Sequence, residues 1–177
     1  MKRTILNLLI GLLMFFAVPA WADPALLTVS GKITETNRGP INEFADALFA
    51  KLEVKFEAAY EFTSDDLKAL PQATITARYP NWPSEVTVTG PTLKDILAKV
   101  GAAGSAVSVR AVDGYAPEFN LSEIDTGKFI LAIEADDKPL GMGGRGPLWL
   151  VFPQNSYDGQ PEDDGGLTWA AIHIEVK

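Results

Sequence analysis

The sequence predicts an α+β domain, mostly β with a few short helices, and three observations carry that reading. Period-two alternation recurs along the chain, as in Val86-Thr87-Val88-Thr89 and in Ile172, Ile174 and Val176 set between His173 and Glu175. Two near-continuous apolar runs, Phe129 to Glu134 and Leu148 to Phe152, read as strands buried on both faces. Short segments between these runs carry helix start and stop signals a turn or two apart.

Taken in order, Leu26 to Ile33 is an opening strand with a bulge or bend at Gly31. Helical spacing of Phe44, Ala45, Leu48, Phe49 and Leu52 predicts a helix over about residues 41–53, with its phenylalanines in the core. Thr63 with Asp66 three residues on starts a second helix, which Pro71 stops. Thr74 to Thr76 and Val86 to Thr89 are strands. Between them Pro80 and Pro83 bracket Asn81-Trp82, a stiff, exposed loop presenting Tyr79 and Trp82. Thr92 caps a third helix, with Leu93, Ile96, Leu97 and Val100 on one face and Gly101 at its end. Val107 to Ala111 and Ala116 to Leu121 form a hairpin around Asp113-Gly114. In the terminal strand His173 points away from the apolar face, which predicts a solvated histidine.

Lys2 and Arg3 precede an apolar run from Ile5 to Val18 and then Ala20-Trp21-Ala22, the pattern of a cleavable signal peptide over residues 1–22. The run is shorter than the roughly twenty apolar residues of a membrane span. Residues 23–177 then form one domain, not embedded in the membrane. The whole chain has 15 basic and 23 acidic residues. Removal of two cations leaves 13 − 23 = −10, which disfavours nucleic acid and anionic membrane as partners. No cysteine and a single histidine exclude thiolate chemistry and metal sites built on two imidazoles.

The run Gly141-Met142-Gly143-Gly144-Arg145-Gly146 leads into a strand and not a helix, so it is not a phosphate loop. Its glycines permit close backbone approach, and Arg145 is either a donor fork for a ligand or a surface residue pairing an acidic neighbour. Glu162-Asp163-Asp164-Gly165-Gly166 lacks calcium-loop spacing and reads as a solvated acidic loop.

Four blocks, GPTLKDILAKVGA, VSVRAVDGYAPEFNLSEI, FILAIEADDKPLGMGGRGPLWLVFP and LTWAAIHIEV, resemble in order the molybdopterin-binding domain of the sulfite oxidase family. The resemblance implies that α+β fold from about Leu26 onward. It also implies a site for the organic pterin part of the cofactor. The family's molybdenum-ligating cysteine belongs at the end of the strand matching Thr74 to Arg78, which here reads Thr76-Ala77-Arg78. Trp149 stands where the family has an arginine. The chain is in this respect similar to small periplasmic pterin-binding proteins that partner membrane enzymes making or degrading cyclic dimeric GMP. That likeness implies a non-enzymatic sensor for a reduced pterin without phosphate, with no molybdenum and with the periplasmic domain of a membrane signalling protein as partner. The alternative is a molybdopterin-dependent oxidoreductase or a subunit of one. Carried over by position, the ligand residues are Arg78, Tyr79, Asn81, Trp82, Tyr115, Arg145 and Trp169. Trp149 and Trp169 read equally as core residues.

Overall fold

The computed structural model describes residues 23–124 and 127–177, so the expected signal peptide lies outside the described residues. The chain order is β1 (Ala25–Gly31), α1 (Ala47–Lys51), β2 (Ala59–Thr63), α2 (Ser64–Ala69), β3 (Gln72–Ala77), β4 (Val86–Pro91), α3 (Leu93–Lys99), β5 (Ala106–Ala111), β6 (Glu118–Asn120) and α4 (Leu121–Ile124). It continues with β7 (Ile130–Ala132), β8 (Glu134–Ala135), β9 (Lys138–Pro139), β10 (Trp149–Val151), β11 (Thr168–Trp169) and β12 (Ala171–Val176). Among the described residues these strands form three sheets, ordered β2-β1-β12-β5-β6, β11-β10-β7 and β3-β4-β8-β9. Strand β1 runs parallel to β12, with Thr28 beside His173, and all other strand pairs are antiparallel.

The central sheet buries Leu27, Val29, Val107, Val109, Ile174 and Val176 in one continuous core with α3 and the strands of the other two sheets. Gly31 ends β1 because nothing larger fits. Its φ is +93°, and a Cβ there would lie 2.1 Å from the carbonyl oxygen of Val176.

Both expected caps form. The Thr63 side chain accepts from the Asp66 N–H at 3.1 Å while the Asp66 carboxylate accepts from the Thr63 N–H at 2.9 Å, closing a capping box on α2. Thr92 accepts from the Asp95 N–H at 3.0 Å at the start of α3. Thr63→Ala and Thr92→Ala are each expected to cost about 1 kcal/mol, read from denaturation midpoints. Midpoints identical to that of the parent would mean that tertiary packing alone holds these helices.

Three expectations need correction. The helix over 41–53 shrinks to Ala47–Lys51, because the Asn42 side chain accepts from the N–H groups of Phe44 and Ala45 and turns the chain before it. Phe44, placed in the core by its spacing, is 95% exposed. The run Phe129 to Glu134 is not one strand: it pairs with β10 up to Ala132 and then crosses to β4 as β8.

The third correction is His173, which is buried and not solvated. It does point away from the apolar face, but that second face is roofed by the segment from Arg38 to Phe56. Phe49 and Phe56 lie 5.7 and 6.3 Å from its ring. Arg38 anchors the roof through Asp46 at 2.6 Å and Glu61 at 2.7 Å. Under it His173 shares a 2.9 Å hydrogen bond with Ser30, and burial, aided by the nearby Arg110 charge, pushes its pKa down to about 4.

Candidate functional site

The two-residue strand β11 sets Trp169 directly opposite Trp149 of β10, and the glycine-rich run from Gly141 to Gly146 delivers Arg145 onto that pair. The Arg145 backbone is fixed where its carbonyl accepts from the Ala170 N–H at 2.9 Å. Its guanidinium lies 4.4 Å from the ring centre of Trp149, 5.0 Å from that of Trp169 and 5.1 Å from that of Trp82. A planar cation among three indoles is held by their negative faces, an attraction that strengthens as water is excluded.

Trp82 reaches this box from the turn after β3. Its ring packs 5.0 Å from Tyr79 and 5.4 Å from Trp149, and its indole N–H donates to Asp164 at 3.1 Å. Asn81 donates to the other oxygen of the same carboxylate at 2.8 Å. Partial burial works against ionisation of Asp164, but these two hydrogen bonds, with the Arg145 charge close by, outweigh it and hold the carboxyl below its ordinary value. Tyr79 donates to the Phe152 carbonyl at 2.7 Å and accepts from Gln160 at 3.0 Å. Burial raises its pKa, so the phenol stays neutral.

The turn is therefore stiff but not exposed: Tyr79 is 1% and Trp82 is 5% exposed. The alternation of prolines with aromatic residues signals a rigid turn, yet it carries no information about the acidic loop that folds over it. Tyr115, 46% exposed, joins from the hairpin between β5 and β6, its hydroxyl accepting from the Gly166 N–H at 3.0 Å. Trp169 stays 47% exposed while Trp149 is 1% exposed, so only the second of the two tryptophans is core. Arg78 is exposed beyond β3 and makes no hydrogen bond, ion pair or ring contact with the cluster. Of the seven residues carried over by position, the structure gathers Tyr79, Asn81, Trp82, Arg145 and Trp169, sets Tyr115 at the margin and leaves Arg78 outside.

Sequence reasoning missed Asp164, which ties the turn to the acidic loop, and Gln160, which holds Tyr79. The only available signal was the contrast between an acidic loop and an aromatic turn, with Asp164 and Trp82 82 residues apart in the chain, which spacing does not connect. The Trp149 indole N–H is buried with no partner among the described residues. An open cleft of about 370 Å³ runs beside the cluster between Pro80, Asn81 and residues 161–163. Larger open space, about 660 Å³, runs along Pro40 to Glu57 and is lined by none of the cluster's residues. No group of three or more acidic or histidine side chains suited to a metal occurs among the described residues.

No family model matches the chain, and no curated protein matches it. Among solved structures it is similar to the sulfane dehydrogenase SoxCD from Paracoccus pantotrophus, with a TM-score of 0.56 at 16% identity. The match covers 85% of this chain and 37% of that one, so the chain spans well under half of its neighbour's length. At this identity the likeness establishes the fold alone, an α+β sulfite-oxidase-like fold of mixed sheets with few short helices.

Proposed function

We propose that the protein is a periplasmic, non-enzymatic binding protein for a reduced pterin without phosphate, which relays its ligand state to the periplasmic domain of a membrane enzyme that makes or degrades cyclic dimeric GMP. The observation that supports this most is the tryptophan box around Arg145, with centroid distances of 4.4 to 5.1 Å. A pterin is flat, and its amino-pyrimidine edge repeats the guanidine pattern of planar nitrogens, the kind of group these aromatic faces already accommodate. The ring of Trp82 is enclosed by Arg145, Tyr79 and Trp149 at 5% exposure, whereas Trp169 keeps 47% of its surface open, so the ligand stacks on the open face of Trp169. Arg145 then donates to the pterin carbonyl and ring nitrogens.

A thiolate-held molybdenum does not fit the donor set. The chain has no cysteine, and the strand end that corresponds to the family's ligand carries Ala77, buried at 2% exposure. Cargo binding without chemistry acts on a partner only through differential contact, typically 1–3 kcal/mol of coupling.

Trp169→Ala is expected to weaken binding of an unphosphorylated reduced pterin at least tenfold, by fluorescence titration, with little change in the melting temperature of the free protein. Unchanged affinity would remove the stacking site. Stoichiometric molybdenum in protein purified from its own periplasm would overturn the non-enzymatic reading in favour of a molybdopterin-dependent oxidoreductase.

A further inference from the structure

Among the described residues, the outer edge of β3 is the one long strand edge that the fold leaves unguarded. Strand β3 is the first in the order β3-β4-β8-β9 and pairs with β4 alone, in an unbroken register from Gln72 opposite Pro91 to Ala77 opposite Val86. Other edges are blunted. Strand β9 is two residues long and consists of Lys138 and Pro139. The β2 edge is covered where Asn37 hydrogen-bonds both the N–H and the carbonyl of Glu61 and where Arg38 bridges to Ala59. Such devices keep a sheet from adding strands, and β3 has none: its six residues, Gln-Ala-Thr-Ile-Thr-Ala, include no charge, no proline and no bulge.

The edge also matches itself. Ala73-Thr74-Ile75-Thr76-Ala77 reads the same in both directions. We infer that two copies of the chain pair through β3, antiparallel about a two-fold axis at Ile75, to join their four-stranded sheets into one of eight strands. In that register Thr74 of each copy faces Thr76 of the other, and Ala73 faces Ala77. The exposed threonines already form hydrogen-bonded pairs within one copy, Thr74 with Thr89 and Thr76 with Thr87, each at 2.9 Å, so dimerisation extends an existing threonine row across the joint. Self-pairing by a two-fold axis is the common mode of homodimers. In a chain of net charge −8, an uncharged edge is also where two like copies approach at least electrostatic cost. The contact is small, below the roughly 1,200 Å² of a standard interface, so the dimer is weak and concentration-dependent.

Sedimentation equilibrium of the full domain from about 10 µM to about 1 mM is expected to show reversible monomer and dimer. Thr74→Lys/Thr76→Lys, at exposed positions, sets like charges across the joint and weakens association at least tenfold. Mixing that variant with Thr74→Glu/Thr76→Glu restores it as a heterodimer. The chain has no cysteine of its own, so single cysteine variants report register directly. Thr74→Cys is expected to form a disulfide with Thr76→Cys on mixing, since opposed residues lie about 4.5–5.5 Å apart, and neither variant with itself. A monomer at the highest concentration, a dimer indifferent to the lysine pair, association only with a foreign extended peptide, or self-crosslinking of Thr74→Cys would each overturn the inference.

Discussion

Trp82→Ala is expected to lower the stability of the ligand-free protein by about 3–5 kcal/mol, and its melting temperature by roughly 10 °C. The indole is 5% exposed and is in contact with Tyr79, Trp149 and the Arg145 guanidinium, so truncation opens a void at the centre of the box and removes one wall of the cation's seat. It also strips Asp164 of one of its two side-chain hydrogen bonds, leaving Asn81 as the only side-chain link between the turn after β3 and that carboxylate. Trp82→Phe keeps most of the apolar contact and loses the indole donor, so it is expected to recover the larger part of the loss. Thermal denaturation of both variants checks this. A melting temperature near that of the parent for Trp82→Ala would mean that the packing against Tyr79 and Trp149 and the bond to Asp164 do not hold the turn.

The second large effect is a dependence on acidity. His173 titrates near 4 in the fold against about 6.5 when unfolded, so between those values the unfolded chain binds the proton that the folded one refuses. Its contribution is complete above pH 6.5 and is lost as the pH falls to about 4, a drop of roughly 3 kcal/mol. His173→Gln keeps a polar partner for Ser30 and is expected to flatten denaturant midpoints across that window. An unchanged slope in the variant would assign the acid sensitivity to other groups. Asp46, Asp66 and Asp164, all held below their ordinary values, begin to weaken the fold only at more acidic pH, below the 3.8 at which an unperturbed aspartate titrates.

Local signals in the sequence were enough for α2, α3, β3, β4 and β5, because caps, periodicity and β-branched runs are decided within a dozen residues. They failed where a distant segment decides. His173 alternates as expected, yet a roof pinned by Arg38 to Asp46 and Glu61 buries it. Phe44 sits at helical spacing, yet an Asn42 turn cancels the helix that would have used it. The aromatic turn was legible as a rigid unit, while its burial depends on Asp164, 82 residues from Trp82 in the chain. Arg145 was ambiguous for the same reason. Only the pairing of Trp149 with Trp169 in β10 and β11 makes the box that receives it.

The position of β12 also dictates an order of assembly in time. Ser30 meets His173 across 143 residues of sequence, and β12 is the middle strand of the central sheet. Until it arrives, β1 with β2 and β5 with β6 are two separate halves, each with a bare inner edge. Neither half can recruit the other directly, since the seat between them belongs to the last strand of the chain. Folding is therefore expected to wait on a long loop closure, which makes it slow for a domain of this size and exposes two sticky edges in the meantime. A chain shortened before Ala171 never escapes that interval.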